Sequence, residues 1–235
     1  MYVADTRHAG MLQLAREIIA NSVDEYMGSH ATKVSVCLDT KQNQLTVRDD
    51  GRGIPVELHK KSGMSALATV FLQTGAGGKF SEGAYSVSAG LHGVGVTVVN
   101  ALSSTLEVCS ARDTKQHTLR FRQGCLVPEY RDGVPSITKP KDHSFPHGTR
   151  VTFVPDVEIF GKKTKFDVDK LRQTLNDLSY LCKGLTFDLT IDKSDPEVFC
   201  QASGLRGFVA QQLTTEKLDA LCPIQYFENE TIEVA

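Results

Sequence analysis

The chain has 235 residues, of which 40% are hydrophobic and 23% are charged, with a formal net charge of −2. These values are typical of a globular protein that buries a sizeable core, and the balanced charge argues against a chain that grips nucleic acid by itself. No apolar run approaches the ~18 residues of a membrane span, and the first ten residues lack the basic-then-apolar pattern of a secretion signal.

The first predicted element is an amphipathic helix over residues 10–28. At about 100° per residue, its apolar side chains share one face: Met11, Ala15, Ile19, Val23 and Tyr26, with Leu12 and Met27 beside them. Four polar side chains share the opposite face: Glu17, Asn21, Asp24 and Glu25. Such a stripe is usually the solvated face of a surface helix. The alternative is the wall of a site, and the helix alone favours the solvated face.

The next segments alternate between strand-like and helical patterns. Residues 32–40 and 44–50 alternate apolar and polar side chains and predict a β-hairpin, and residues 63–73 predict a helix. Residues 74–95 are rich in glycine and lack periodicity, which predicts a long loop of the kind that is functional or disordered. Residues 94–103 are apolar and β-branched, which fits a strand or a buried helix.

The second half of the chain predicts further strands and two helices. Strand patterns cover residues 104–112, 116–124, 148–156 and 185–193, and the end of the chain, 224–235, is strand-like. Leucines at helical spacing predict a helix over residues 166–184, and a shorter helix is predicted over 205–213. Strict βαβ alternation is missing, so we expect an α+β sandwich with helices on one face of a mixed sheet.

The cysteines indicate neither a metal centre nor a disulfide framework. None of the six forms a CxxC pair, and no histidine accompanies them at zinc spacing. We therefore expect reduced thiols in a cytoplasmic protein.

The motif "RDDGRGIP" ends the second predicted strand. Asp49 precedes Gly51 and Gly53, and glycines allow a tight turn and the close approach of a flat ligand. A carboxylate at this point can accept a hydrogen bond from a ring amino group. Asp and Gly are also common turn residues, so an ordinary strand-exit turn is the alternative.

Two glycine-rich motifs, "TGAGGKF" and "SAGLHGVG", follow. Their backbone N–H groups could cradle phosphates, with Lys79 as a point charge. They match neither the GxxxxGK[ST] loop, because Phe80 follows Lys79, nor the Rossmann fingerprint, because no strand leads directly into them. A flexible surface loop is the alternative.

The order of these motifs resembles the GHKL ATPases, which share the Bergerat nucleotide-binding fold. The resemblance is carried by "EIIANSVDE" (17–25), "VRDDGRGIP" (47–55), "AGGKF" (76–80), "SAGLHGVGVTVVNALS" (88–103) and "HGTRVTFVPD" (147–156). Within this family the sequence is similar to the ATPase subunit of bacterial type II topoisomerases, DNA gyrase or topoisomerase IV. The resemblance implies a two-layer α+β sandwich whose helices cover one face of a mixed, mainly antiparallel sheet. It also reverses the reading of the first helix, whose polar stripe becomes the wall of a site.

The resemblance implies a role for each matching residue, with ATP and Mg²⁺ as cofactors. Glu17 is the general base that orients water, and Asn21 holds magnesium. Asp24 and Glu25 extend the same face toward the nucleoside, with Glu25 pairing with Arg52. Asp49 reads the adenine amino group, helped by Thr149 through a shared water. The other implied roles are the pocket floor (Gly53, Ile54), the triphosphate contacts (Gly77, Lys79, Leu91, His92, Gly93, Val94, Gly95), the cover of the base or ribose (Tyr85) and an outer lip for aminocoumarin inhibitors (Pro55, Arg112).

The sequence also departs from the family pattern. Ala89 replaces a usual glycine, Gly75 a frequent histidine and Ser86 a common lysine, which affects the phosphate contacts of the lid. We also expect this chain to lack the family's N-terminal arm and the lysine of its transducer domain. We therefore expect an ATP-binding domain over residues 1–205 and the start of a truncated transducer domain over 206–235. We expect this fragment to be monomeric, to bind ATP and to hydrolyse it weakly.

The resemblance implies partners for the full-length enzyme: a second copy of itself, the A subunit of gyrase or topoisomerase IV, and DNA. ATP-driven dimerisation would then be coupled to DNA strand passage, in supercoiling or decatenation. Two alternatives stay open from the sequence: a nucleotide-binding switch without hydrolysis, and another member of the GHKL family. The choice between gyrase and topoisomerase IV also stays open.

Overall fold

The computed structural model describes residues 3, 5–60, 62–75, 94–138, 145–219, 222–228 and 233–234. The helices within these ranges are α1 (His8–Met27), α2 (Ala66–Leu72), α3 (Gly95–Ala101), α4 (Val157–Phe160), α5 (Val168–Leu181) and α6 (Gly204–Glu216). The strands are β1 (Lys33–Asp39), β2 (Gln44–Asp49), β3 (Ser103–Arg112), β4 (Lys115–Arg122), β5 (Cys125–Leu126), β6 (Ser136–Thr138), β7 (Gly148–Pro155), β8 (Thr186–Ile191), β9 (Glu197–Phe199), β10 (Phe227–Glu228) and β11 (Glu233–Val234).

Local sequence explains where several helices begin. Ser65, Asp156 and Asp167 each accept a hydrogen bond from a backbone N–H of the helix that follows, as N-cap residues do. The long helix α1 buries an apolar face, as predicted. Its last residue, Met27, which the helical wheel places beside that face, is 46% exposed.

Nine strands of the described ranges form one sheet in the order β5-β4-β3-β7-β2-β1-β8-β9, with β6 also paired to β4. The predicted hairpin of β1 and β2 is confirmed. Among the described pairs only β1 and β8 run parallel. The prediction of a mixed, mainly antiparallel sheet is therefore confirmed.

The core lies between the helices and one face of this sheet. Alternating residues of the central strands, such as Val47, Val151 and Phe153, are buried in one cluster with side chains from α1, α2, α3 and α5. The opposite face carries polar contacts, including the 2.9 Å bond between the Thr46 and Thr152 hydroxyls. In this arrangement α1 packs against β2 and β7.

The structure decides the ambiguous segment after the glycine-rich motifs. Seven residues, Gly95–Ala101, form the helix α3, and Val99 and Asn100 are buried.

All six cysteines are free thiols. Within the described ranges no helix has the length and apolarity needed to cross a membrane.

Candidate functional site

Asp49 lies at the end of β2, on the face of the sheet that the helices cover. Its side chain has the same parity as the buried Leu45 and Val47, so the pleat directs it toward α1. Only 5% of the residue is exposed. The site therefore begins with a carboxylate inside the protein, where an ionised group needs specific partners.

The partners of Asp49 come from three distant parts of the chain. Oδ1 accepts hydrogen bonds from the backbone N–H of Gly51 at 2.9 Å and of Thr149 at 3.0 Å. Oδ2 accepts a bond from the Ser22 hydroxyl at 3.2 Å. Burial raises the pKa of Asp49 to about 6; these bonds act in the opposite direction, and the nearby Glu25 carboxylate adds to the increase. No basic residue of the described ranges forms an ion pair with Asp49, so its free acceptor capacity is available to a neutral donor.

Two glycines allow the backbone to close around Asp49. Gly148 has φ +112°, and a Cβ atom there would overlap the Asp49 carbonyl oxygen. A Cβ atom at Gly51 would lie 2.8 Å from Oε2 of Glu25. These positions exclude larger residues for steric reasons that the motifs alone did not reveal.

Glu17 lies on α1, where its two carboxylate oxygens face different neighbours. Oε1 accepts a 2.6 Å bond from Nε2 of Gln13, one helical turn earlier. Oε2 faces the start of α3 so closely that a Cβ atom at Gly95 would overlap it. One carboxylate oxygen is therefore hydrogen-bonded, and the other lies beside the start of α3.

Asn21 follows Glu17 by one turn and is exposed. Its Nδ2 donates to the Glu17 carbonyl oxygen at 2.8 Å, which leaves Oδ1 as an oxygen ligand of the kind magnesium prefers. No cluster of three His, Cys, Asp or Glu residues that could hold a metal occurs in the described ranges. Mg²⁺ usually takes only one or two protein ligands and completes its coordination with phosphates and water.

Glu25 and Arg52 form the ion pair that the resemblance implied. The Arg52 guanidinium donates to both carboxylate oxygens, at 3.0 and 3.2 Å, and its backbone N–H donates to Oε2 at 3.0 Å. Asp24, also predicted in the site, is half-buried on the same helix. The pair links α1 to the loop after β2.

The loop over residues 53–55 rests on the end of β3. Ser110 donates its hydroxyl to the Ile54 carbonyl at 2.7 Å, and Nη1 of Arg112 donates to the Gly53 carbonyl at 2.7 Å. Gly53 has φ +75°, a conformation that favours glycine. Of the predicted residues, Arg112 is thus hydrogen-bonded to Gly53, and Ile54 and Pro55 follow in the same loop.

Six predicted contacts of the triphosphate and base lie outside the described residues: Gly77, Lys79, Tyr85, Leu91, His92 and Gly93. The departures at Ser86 and Ala89 lie there as well. Val94 and Gly95 are described, at the start of α3 and beside Glu17.

Four contacts at the site were not expected from the sequence: Gln13 on Glu17, Ser22 on Asp49, Ser110 on the Ile54 carbonyl, and Nδ1 of His147 at 3.0 Å from the Gly51 carbonyl. Ser22 had a usable signal, because a small hydroxyl interrupts the buried face of α1. Gln13 is one turn from Glu17, within reach of it on any helix.

Comparisons with known proteins give a family match and several similar proteins. Residues 6–159 match the family described as "Histidine kinase-, DNA gyrase B-, and HSP90-like ATPase". The chain is 37% identical to the DNA gyrase B subunit of Enterococcus faecalis over 243 residues, covering 100% of this chain and 36% of that protein. It is 38% identical to the DNA gyrase B subunit of Synechocystis over 237 residues, covering 100% of this chain and 21% of that protein.

Among solved structures, the chain is similar to the 43K ATPase domain of Thermus thermophilus gyrase B in complex with an aminocoumarin. The TM-score is 0.75 and the sequence identity 33%, covering 90% of this chain and 52% of that chain. The present chain spans about a third or less of the two gyrase subunits and about half of the solved domain.

Proposed function

Because the chain belongs to the family of histidine kinase-, DNA gyrase B- and HSP90-like ATPases, we propose that it binds and hydrolyses ATP at the site around Asp49 and Glu17. The observation that carries the proposal is the buried Asp49 carboxylate. It has acceptor capacity left, no basic partner in the described ranges, and a pKa raised by burial to about 6. Such a costly acceptor suits a neutral donor, and the amino group of adenine is one.

In this proposal the two carboxylate oxygens of Asp49 have different roles in recognising the base. The backbone N–H groups of Gly51 and Thr149 hold Oδ1 and thereby fix the plane of the carboxylate. Oδ2, which accepts only from Ser22 in the described structure, takes the adenine amino group. A guanine presents a carbonyl oxygen at the same ring position, which this carboxylate repels.

Glu17 would act as the general base. The Gln13 bond fixes one oxygen of its carboxylate, and the other oxygen receives a proton from the attacking water. Proton transfer by a positioned carboxylate contributes roughly 10²–10⁴-fold to such reactions. The Gly95 backbone limits how far the carboxylate can rotate.

Asn21 would supply one ligand of the magnesium ion through Oδ1. When bound, the ion neutralises phosphate oxygens as charge develops on them. The predicted phosphate contacts of Gly77, Lys79, Leu91, His92, Gly93, Val94 and Gly95, and the cover of the base or ribose by Tyr85, belong to the same proposal.

In the whole protein we propose the role of a type II topoisomerase ATPase subunit. The relatives named as B subunits of DNA gyrase support this role. DNA strand passage, dimerisation driven by ATP, and a partner that corresponds to the A subunit follow from it. The lip of Pro55 and Arg112 would take an aminocoumarin, since the similar Thermus domain was solved with one. Residues 1–205 would form the ATP-binding domain, with 206–235 leading into a transducer domain.

The first experiment is calorimetric titration of the chain with Mg-ATP and, in parallel, with Mg-GTP. We expect ATP binding and at least ~100-fold weaker GTP binding, because a site built for one hydrogen bond rejects an analogue that cannot make it. Equal affinity would show that Asp49 does not read the base. Failure of both nucleotides to bind would overturn the proposal for this chain.

The second experiment tests hydrolysis with Glu17→Gln, which keeps the size of the side chain and its ability to accept from Gln13. We expect unchanged Mg-ATP affinity and a hydrolysis rate lower by about 100-fold or more. Glu216→Gln, an exposed change at the end of α6, is the matched control. A Glu17→Gln rate equal to that of the control would favour a nucleotide-binding switch.

A further inference from the structure

Two side chains of α3 hold the last turn of α2. A helix end leaves backbone carbonyl groups without intrahelical partners. The Thr97 hydroxyl donates to the Val70 carbonyl at 3.3 Å, and Nδ2 of Asn100 donates to the Phe71 carbonyl at 3.1 Å. Thr97 and Asn100 are three residues apart and share one face of α3. We call them the α3 clasp.

Asn100 extends the clasp to the turn between β4 and β5. Its Nδ2 also donates to the Gly124 carbonyl at 3.2 Å. The residue is 1% exposed, and its Oδ1 has no hydrogen-bond partner in the described structure. A leucine has the same branching and the same number of side-chain heavy atoms, without an unpaired buried oxygen. The two donated hydrogens are therefore what this position needs from asparagine.

The other end of α3 lies against Glu17. Gly95, the first residue of the helix, approaches Oε2 so closely that no side chain fits between them. Gly95 is five residues from Asn100, about 7.5 Å along a helix axis. A single short helix thus connects the clasp to the carboxylate, and a shift of its axis changes the space around Oε2.

We propose that the Asn100 amide, with Thr97, positions α3 so that Glu17 is held in the orientation needed to activate water. This inference rests on the proposed function, because it assigns the clasp to the hydrolytic step of that site. The hydrogen bonds of the clasp end on backbone carbonyl groups of Val70, Phe71 and Gly124. It acts through the backbone of Gly95.

The test compares Mg-ATP affinity with the rate of single-turnover hydrolysis, with the chain in excess over labelled ATP. Asn100→Leu removes both donors and keeps the branching of the side chain. We expect a rate lower by at least about tenfold, since a misplacement of about 1 Å can cost ~100-fold, with affinity within about twofold. Asn176→Leu is the matched control, because Asn176 lies on α5 and bonds Gln211 of α6.

A purely structural role predicts a different result, in which affinity and rate fall together or neither changes; either result overturns the inference. If Asn100→Leu does not fold, two variants of Thr97 provide the test instead. Thr97→Val should slow hydrolysis at constant affinity, and Thr97→Ser, which keeps the hydroxyl, should restore the rate. Equal rates for Thr97→Val and Thr97→Ser would then overturn the inference.

Glu17→Gln in the same assay separates the two proposals. If Glu17→Gln is inactive while Asn100→Leu hydrolyses at the normal rate, only the role of the clasp fails. If Glu17→Gln hydrolyses at the normal rate, the proposed function itself fails.

Discussion

Two neighbouring parts of the site differ in how they hold charge. The Asp49 cluster (Ser22, Asp49, Gly51, Gly148 and Thr149) keeps a carboxylate almost fully buried among backbone N–H groups and one hydroxyl. The Arg52 loop (residues 52–55) instead pairs its charge with Glu25 near solvent, where the Arg52 side chain is 39% exposed.

The two parts differ in how strongly a substitution is expected to destabilise them. Inside the protein no water can hydrogen-bond to an unsatisfied polar atom, and a steric clash has little space in which to relax. Single substitutions there are therefore strongly destabilising. Near solvent an ion pair is screened, and its net value is small. Substitutions in the Asp49 cluster should therefore have large effects on ligand affinity and stability, while substitutions in the Arg52 loop should have small ones.

The largest effect on ligand affinity is expected for Asp49→Asn. The new Oδ1 can still accept from Gly51 and Thr149, and Ser22 can accept from the new amide. The fold should survive, but the amide now presents a donor to the adenine amino group. We expect ATP affinity to fall by about 100-fold, the size of a lost hydrogen bond to a charged group. Calorimetry measures the affinity, and circular dichroism checks the fold. Normal affinity in a folded variant would contradict adenine recognition by Asp49.

Gly148→Ala should weaken the fold most among small changes in the cluster. The added methyl meets the Asp49 carbonyl oxygen at a φ of +112°, so strain and overpacking should lower the free energy of unfolding by about 3 kcal/mol. Gly184→Ala is the control, because Gly184 also has positive φ but nothing lies within 4 Å of its Cβ position. Urea unfolding measures both. Equal losses would show that close packing at Gly148 is unimportant.

Stability should fall as pH rises through the range set by Asp49. Its pKa is about 6 in the folded chain, above the ordinary 3.8, so the folded state binds more protons between these values. The free energy of unfolding therefore decreases with rising pH, by about 1 kcal/mol from pH 5 to pH 7 for this group alone. Urea titrations of wild type and Asp49→Asn at both pH values isolate the effect. A difference between the two proteins that does not change with pH would refute the raised pKa.

The smallest effect is expected in the Arg52 loop. Arg52→Gln breaks the ion pair with Glu25, and we expect a loss of less than about 1 kcal/mol in the free energy of unfolding, smaller still in high salt. Arg120→Gln is a suitable comparison, since Arg120 pairs with Glu107 at 2.7 Å on an exposed part of the sheet. A loss above that limit, insensitive to salt, would mean that the loop is as tightly constrained as the Asp49 cluster.

Much of the candidate site could be predicted from local sequence patterns. The polar stripe of α1 and the glycines after Asp49 are visible in the sequence, because a helix repeats every 3.6 residues and a tight turn needs glycine. The family resemblance assigned Glu17 and Asp49 to one site, although the two residues lie on different elements.

Contacts between distant residues could not be predicted in this way. Asp49 and Thr149 are 100 residues apart, and nothing in either motif specifies that the Thr149 backbone N–H donates directly to the carboxylate. Residues 94–103 carry strand propensity, but most of them form a helix because buried contacts outweigh the weak preferences of β-branched residues.

The sequence by itself determined the periodic elements, the turns and the residue types available for chemistry, since these depend on neighbours along the chain. Tertiary structure alone decided the depth of Asp49, the approach of Gly95 to Glu17 and the link from Asn100 to Phe71 and Gly124. Each of these depends on how strands and helices pack, and burial and steric fit arise only when distant segments meet.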